Sequence, residues 1–286
     1  MSPSRDTEDE SPGKANAVQP KARILDVYGA CARDVGGWLA IADLIDLLAR
    51  LDVDAQAIRS AASRLKRQHL LVSQKIGGVA GYALSDAAAA ILEDGDRRIF
   101  RKLDAEVDTS WLIVTFSVPE AKRQQRYLIR SRLTQLGFGQ GPASVLLAPA
   151  VILPETERLL GREGLLGNVA LWKGEYHGFD DFEAVVASAW DLPAIAQSYE
   201  AYLREMEPVA ERWSNGDLTD EQGFVDYMAN LAAWRRLPYL DPGLPCSVTP
   251  DDWPGERARA LFLDVDQMLR PRAMRCFVEV AAPATR

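Results

Sequence analysis

The residues best suited to specific chemistry are Gln56, Arg59, Ser60, Ser63 and Arg67. At the helical pitch they fall on one arc of roughly 100°. Arg can donate two parallel hydrogen bonds to guanine, Gln can pair with adenine, and Ser can serve a base edge or a phosphate. Arg64 and Lys66 flank the arc and suit phosphates, which position a helix without reading sequence. Lys75 follows near the tip of a predicted hairpin and suits the backbone as well. The whole set lies in Ala55–Leu84, which holds five Lys/Arg and no acidic residue inside a chain of net charge −8. The chemistry implied is contact with double-stranded DNA. The bland alternative is the solvated face of an amphipathic helix.

Positioning such a face requires supporting elements, and the flanking sequence supplies them. A helix is predicted over Ala22–Arg33, with Ile24, Leu25 and Tyr28 as its apolar stripe. Gly36-Gly37 breaks the chain. A second helix is predicted over Leu39–Arg50, with Ile41, Leu44, Ile45 and Leu48 at helical spacing. After the short turn Leu51–Asp54, Asp54 is the N-cap of a third helix, Ala55–Gln68. Ile58, Ala61, Ala62 and Leu65 form its apolar side. Leu70–Lys75 and Val79–Leu84 surround Ile76-Gly77-Gly78 as two β-prone runs of a hairpin. Together these form a winged helix-turn-helix. Ser85 caps a further helix running to Leu103 as a linker.

The middle of the chain reads as a small α+β sandwich. Trp111–Val118 is a buried-strand pattern. Pro119-Glu120 opens a helix to Leu136, which Gly137 ends. Ser144–Leu153 and Asn168–Tyr176 are further strands, with a helical turn around Glu155–Leu160. The alternation of strands and helices predicts a ferredoxin-like domain. Residues 121–154 again carry five basic residues and no acidic one, suited to phosphates of DNA or of a ligand. Gly137–Gly141 follows a helix rather than a strand, so it is read as a turn and not a dinucleotide loop.

The remainder is acidic and helical. Ile195, Tyr199, Tyr202, Leu203, Met206 and Trp213 mark one helix; Phe224, Tyr227, Met228, Leu231 and Trp234 mark a second. A last helix is predicted over Glu256–Leu269. Aromatic stripes at this spacing are core positions. The expected organisation is a disordered tail over 1–20, a DNA-binding domain with linker helix over 21–104, a ferredoxin-like domain over 105–184, and a helical domain over 185–286.

Composition narrows the function classes. The chain has 286 residues, 48% hydrophobic and 26% charged, ordinary for globular domains. No apolar run approaches the roughly 20 residues of a membrane span, and the polar N-terminus has no signal-peptide core. Three scattered cysteines and two histidines suggest neither disulfides nor zinc. A cytoplasmic protein without a resident cofactor is expected. A pI near 5.0 argues against a nonspecific nucleic-acid coat.

The order of motifs resembles the PaaX family of transcriptional repressors of phenylacetate catabolism. The marks are Ile58–Leu65, Trp111 with Phe116–Glu120, Arg126, Arg130, Leu133 and Gly137-Phe138. Near the end, Arg235-Arg236-Leu237, Asp241-Pro242, Leu244-Pro245 and Asp252–Gly255 continue the match. One departure is His69-Leu70, where the family has a Gly-Trp or Gly-Leu turn. The resemblance implies a winged-helix domain, a central ferredoxin-like domain similar to Cas2 and a helical C-terminal domain. It also implies a homodimeric repressor, not an enzyme, released by an aryl-CoA or related acyl-CoA such as phenylacetyl-CoA. A two-fold dimer would address a pseudo-palindromic operator. Lys122, Arg123, Arg126 and Arg130 are then candidates for the CoA phosphates. Two alternatives stand beside this: a Cas2-like metal-dependent nuclease, for which Glu120 is the nearest carboxylate, and a winged-helix protein-interaction module.

Overall fold

The computed structural model describes residues 19–101, 110–116, 118–119, 122–141, 145–177, 181–216 and 218–281. The expected tail over 1–20 lies outside them up to residue 18. Its last residue, Pro20, instead opens α1 (Pro20–Ala30), at a position where a missing N–H costs little. The chain divides into two units: Met1–Ala88 with Phe277–Arg286, and Ala89–Cys276.

In the first unit α1 ends earlier than predicted and passes into a 3-10 turn, Ala32–Val35. The predicted second helix loses its first residues to a strand, β1 (Trp38–Ala40), and runs as α2 (Ile41–Ala49). Three residues are too few to show a strand period, and pairing decides them. β1 lies against β3 with Trp38 opposite Ala83 and Ala40 opposite Gly81. A Cβ on Gly81 would come within 2.6 Å of the Trp38 ring, so that approach requires glycine.

α3 (Ala55–Arg67) follows a turn in which Asp52 takes φ 58°. The Val53 amide donates to Leu48 O (3.1 Å) and the Asp52 amide to Ala49 O (3.1 Å), closing α2 in a Schellman arrangement. The same device ends α3. His69 has φ 58°, Leu70 N donates to Leu65 O (2.9 Å) and His69 N to Lys66 O (3.0 Å). This explains the departure noted at His69-Leu70: the position needs the left-handed region, and histidine occupies it at a cost glycine would not incur. β2 (Leu71–Ile76) and β3 (Val79–Leu84) then pair antiparallel around Gly77-Gly78, both at positive φ, in sheet order β1-β3-β2. Ile24, Val27, Tyr28, Leu44, Leu47, Leu48, Ile58 and Leu65 are fully buried. The Tyr28 hydroxyl donates to Tyr82 O at 2.7 Å.

α4 (Asp86–Ile99) is capped as expected, with Ser85 Oγ accepting from Ala88 N at 3.1 Å. It is shorter than predicted, ending at Ile99; residues 102–109 lie outside the described set. The second unit continues with β4 (Trp111–Phe116), α5 (Arg123–Gln135), β5 (Gly139–Gln140), β6 (Leu146–Pro149), α6 (Leu153–Arg162) and β7 (Val169–Gly174). The sheet order is β5-β6-β4-β7, all antiparallel. This βαββαβ arrangement is ferredoxin-like, as expected. Its core joins Leu112, Val114, Ile129, Leu133, Leu146, Ala148 and Leu160. Gly137 ends α5 at φ 94° as predicted, but the glycine-rich segment is more than a turn, because Gly139 and Gln140 pair with Leu147 and Leu146. Of the predicted strand over Ser144–Leu153, Ser144 lies outside the described residues and the strand ends at Pro149, since the chain coils into a 3-10 turn at Ala150 and then into α6.

α7 (Phe182–Ala189), α8 (Leu192–Asn215), α9 (Asp220–Trp234), α10 (Leu237–Leu240) and α11 (Gly255–Ala281) follow. The predicted aromatic stripes are core. Trp234 is fully buried and stacks on Phe262 with ring centroids 4.8 Å apart, while Tyr202 meets it edge-on at 5.2 Å. α11 does not stop at Leu269. It passes through Pro271, and the loss of one helical hydrogen bond there is offset by burial beyond it, at Ala273 and Cys276.

Because His69 holds a strained φ without steric need for its side chain, His69→Gly should stabilise the first unit by about 0.5–1 kcal/mol. Hydrogen exchange of the α3 amides should slow accordingly; unchanged or faster exchange would show that the turn is not strained.

Candidate nucleic-acid interface

α3 is built to present two unlike faces. Asp54 anchors its start, accepting from Gln56 N (2.8 Å) and Ala57 N (3.0 Å). Ile58, Ala61, Ala62 and Leu65 are all 0% exposed. Burying Ile58 and Leu65 is worth about 1.5–3 kcal/mol each, so rotating the helix by one position is excluded energetically. That fixed rotation leaves Gln56, Arg59, Ser60, Ser63, Arg64, Lys66 and Arg67 exposed, every one of the predicted residues of this helix. None of its four cations forms an ion pair with a described carboxylate. The cations therefore face solvent with their charge uncompensated.

The hairpin carries Lys75, exposed, opposite Ala80 and one pair before the Gly77-Gly78 turn. It also leaves Val72, Ile76 and Val79 about half exposed (51%, 47% and 51%). A β pattern read from sequence assigns such residues to a core; here they face outward on a thin hairpin.

The second basic group is assembled differently. Lys122, Arg123, Arg126 and Arg130 share one face of the α5 region by helical pitch. Two are already engaged: Arg126 Nη2 donates to Val118 O (2.8 Å) and Arg130 Nη1 to Gln140 Oε1 (2.9 Å). Lys122 and Arg123 are exposed. Tyr127, 76% exposed on the same helix, was not singled out by the sequence, since one tyrosine among arginines has no periodic signature. Arg132 points elsewhere, to Glu163 at 3.1 Å. Glu120, on which the nuclease alternative depends, lies outside the described residues. Among the described residues no cluster of His, Cys, Asp or Glu is arranged to hold a metal, and no helix is long and apolar enough to cross a membrane.

Three family profiles match in chain order: PaaX-like protein over residues 19–88, the PaaX protein central Cas2-like domain over 104–186, and the PaaX-like protein C-terminal domain over 190–279. The transcriptional repressor PaaX of Escherichia coli K12 is 24% identical over 262 residues, covering 90% of this chain and 82% of its own length. The uncharacterized protein Rv0674 from Mycobacterium tuberculosis has a similar fold, with a TM-score of 0.57 at 20% identity, over 90% of this chain and 98% of that one. With the ferredoxin-like centre in place and the three profiles in register with the sequence motifs, this chain belongs to the PaaX family.

Proposed function

We propose that the protein is a DNA-binding transcriptional repressor of phenylacetate catabolism, acting in the cytoplasm without enzymatic activity. The observation that carries this is the exposed cationic face of α3, whose rotation is fixed by four wholly buried residues. The similarity to the Escherichia coli repressor supports the same reading.

In this reading the first unit is a winged helix-turn-helix. α3 lies in the major groove and the β2–β3 hairpin is the wing. Gln56, Arg59, Ser60, Ser63 and Arg67 face base edges, while Arg64, Lys66 and Lys75 hold phosphates. A homodimer places two such helices on the half-sites of a pseudo-palindrome. Release follows when an aryl-CoA or related acyl-CoA, phenylacetyl-CoA for instance, binds a DNA-incompetent arrangement more tightly. Lys122 and Arg123 are the cations of the α5 face best placed for its phosphates. Arg126 and Arg130 contribute charge from positions tied into the fold.

Arg59→Ala and Arg67→Ala should each cost about 1–3 kcal/mol on a duplex from the protein's own promoter region and flatten discrimination between base substitutions. Lys75→Ala should weaken all duplexes alike. Fluorescence anisotropy on matched and substituted duplexes reads both effects, and wild-type binding by the two arginine variants would refute the helix assignment. For the effector, footprinting with a panel of aryl- and acyl-CoAs should show release by at least one. The double variant Lys122→Ala/Arg123→Ala should need a higher concentration of the same thioester; an unchanged requirement would remove those two residues from the site.

A further inference from the structure

Arg59, Arg64, Lys66, Arg67 and Lys75 are exposed, and none forms an ion pair with a described carboxylate. No acidic residue interrupts the stretch Ala55–Leu84 that carries them. Like charge gathered on one exposed face holds a local positive potential. A duplex relieves it, and so would any other polyanion held nearby.

The chain carries such a polyanion ahead of α1. Asp6, Glu8, Asp9 and Glu10 place four carboxylates within five residues, and no other five-residue window of the chain holds four acids. Arg5 and Lys14 flank the run without interrupting it. The run lies outside the described residues, which begin at Gln19, and it precedes the unit that contains α3 without a break in the chain. Residues 11–19 join Glu10 to Pro20, the first residue of α1. A connection of that length spans up to roughly 30 Å. α1 and α3 pack against each other and are about 16 Å and 20 Å long. The connection exceeds either helix, so the acidic run can reach the outer side of α3 without disturbing the core. Tethering gives it an effective concentration on the order of millimolar there. A contact too weak to persist between separate molecules is then populated.

We propose that the acidic run Asp6–Glu10 docks on the cationic face of α3 and the hairpin when no duplex is bound, and that DNA must displace it. The inference rests on the DNA-binding reading of that face. Because the run reads no bases, it lowers affinity for every duplex by the same factor. Because the contact joins charges at a surface, it fades as salt rises. Unrelated DNA, held by phosphate contacts alone, is then bound too weakly to sequester the protein, while an operator keeps its additional base contacts.

Two measurements on the full chain test this. In the first, a water-soluble carbodiimide couples carboxylates to amines in contact with them, and mass spectrometry locates the products. Amides between the Asp6–Glu10 run and Lys66 or Lys75 are expected in the free protein, and saturating duplex should suppress them. In the second, fluorescence anisotropy compares the wild type with Asp6→Asn/Glu8→Gln/Asp9→Asn/Glu10→Gln. The substituted chain should bind a promoter duplex and an unrelated duplex about three- to tenfold more tightly at low salt, by the same factor for both. The gain should vanish at high salt. The substitutions precede α1 and leave every described contact in place; circular dichroism verifies that the fold persists. Absence of an amide to either lysine, or amides that survive saturating duplex, would overturn the proposal. Tighter binding by the variant without such amides would mean that the run acts by repulsion at a distance, and docking falls. Equal affinity of the two chains overturns it as well. If neither chain binds any duplex, the repressor reading fails, while the amides still report whether the run occupies α3.

Discussion

The constraint on which the candidate DNA-facing surface depends is the rotation of α3 about its own axis. Ile58, Ala61, Ala62 and Leu65 lie on one side of the helix and are wholly buried. Turning the helix by a single residue, about 100°, would bring Leu65 toward water and Arg59 toward the core. Either change costs more than a typical surface interaction returns. The exposed set from Gln56 to Arg67 is thus a consequence of packing on the opposite side. The two turns that bracket α3 reinforce this, since left-handed residues at Asp52 and His69 let buried Val53 and half-buried Leu70 follow the Schellman closures.

The second unit obeys a different rule. Its acidic balance does not mean that its arginines are idle. Arg98 ties α4 to the end of α5 and to α10 through carbonyl oxygens. Asp94 gathers three arginines, and Trp190 Nε1 donates to Gly137 O at 3.0 Å. Positive charge that is exposed and unpaired on α3 is here mostly bonded within the unit, with Lys122 and Arg123 left exposed. The same residue type therefore serves opposite purposes in the two units, and burial tells them apart.

How much of this was legible beforehand depends on the sequence distance over which each feature is built. α3, its Asp54 cap, the Gly77-Gly78 hairpin and the aromatic stripes of α8 and α9 were readable, because their signals lie within one or two helical turns or one tight turn. The candidate DNA-facing residues followed from pitch alone. β1 was not legible, because three residues carry no period and only pairing with β3 defines them. The end of α11 was not legible, because only the burial beyond Pro271 carries the helix through a residue type that usually stops one. The Arg98 anchor was not legible: it sits in a segment of mixed charge, and its partner Pro238 lies 140 residues away. Propensity has no reach over that distance.

The claim at the centre of this account is that the exposed cations of α3 and the hairpin meet the phosphates of a duplex. The most direct measurement is the salt dependence of binding to a promoter duplex. With Arg64, Lys66 and Lys75 of both protomers of the proposed dimer on phosphates, the plot of log affinity against log salt should fall with a slope of about −5. A slope near zero, with binding retained at high salt, would contradict it.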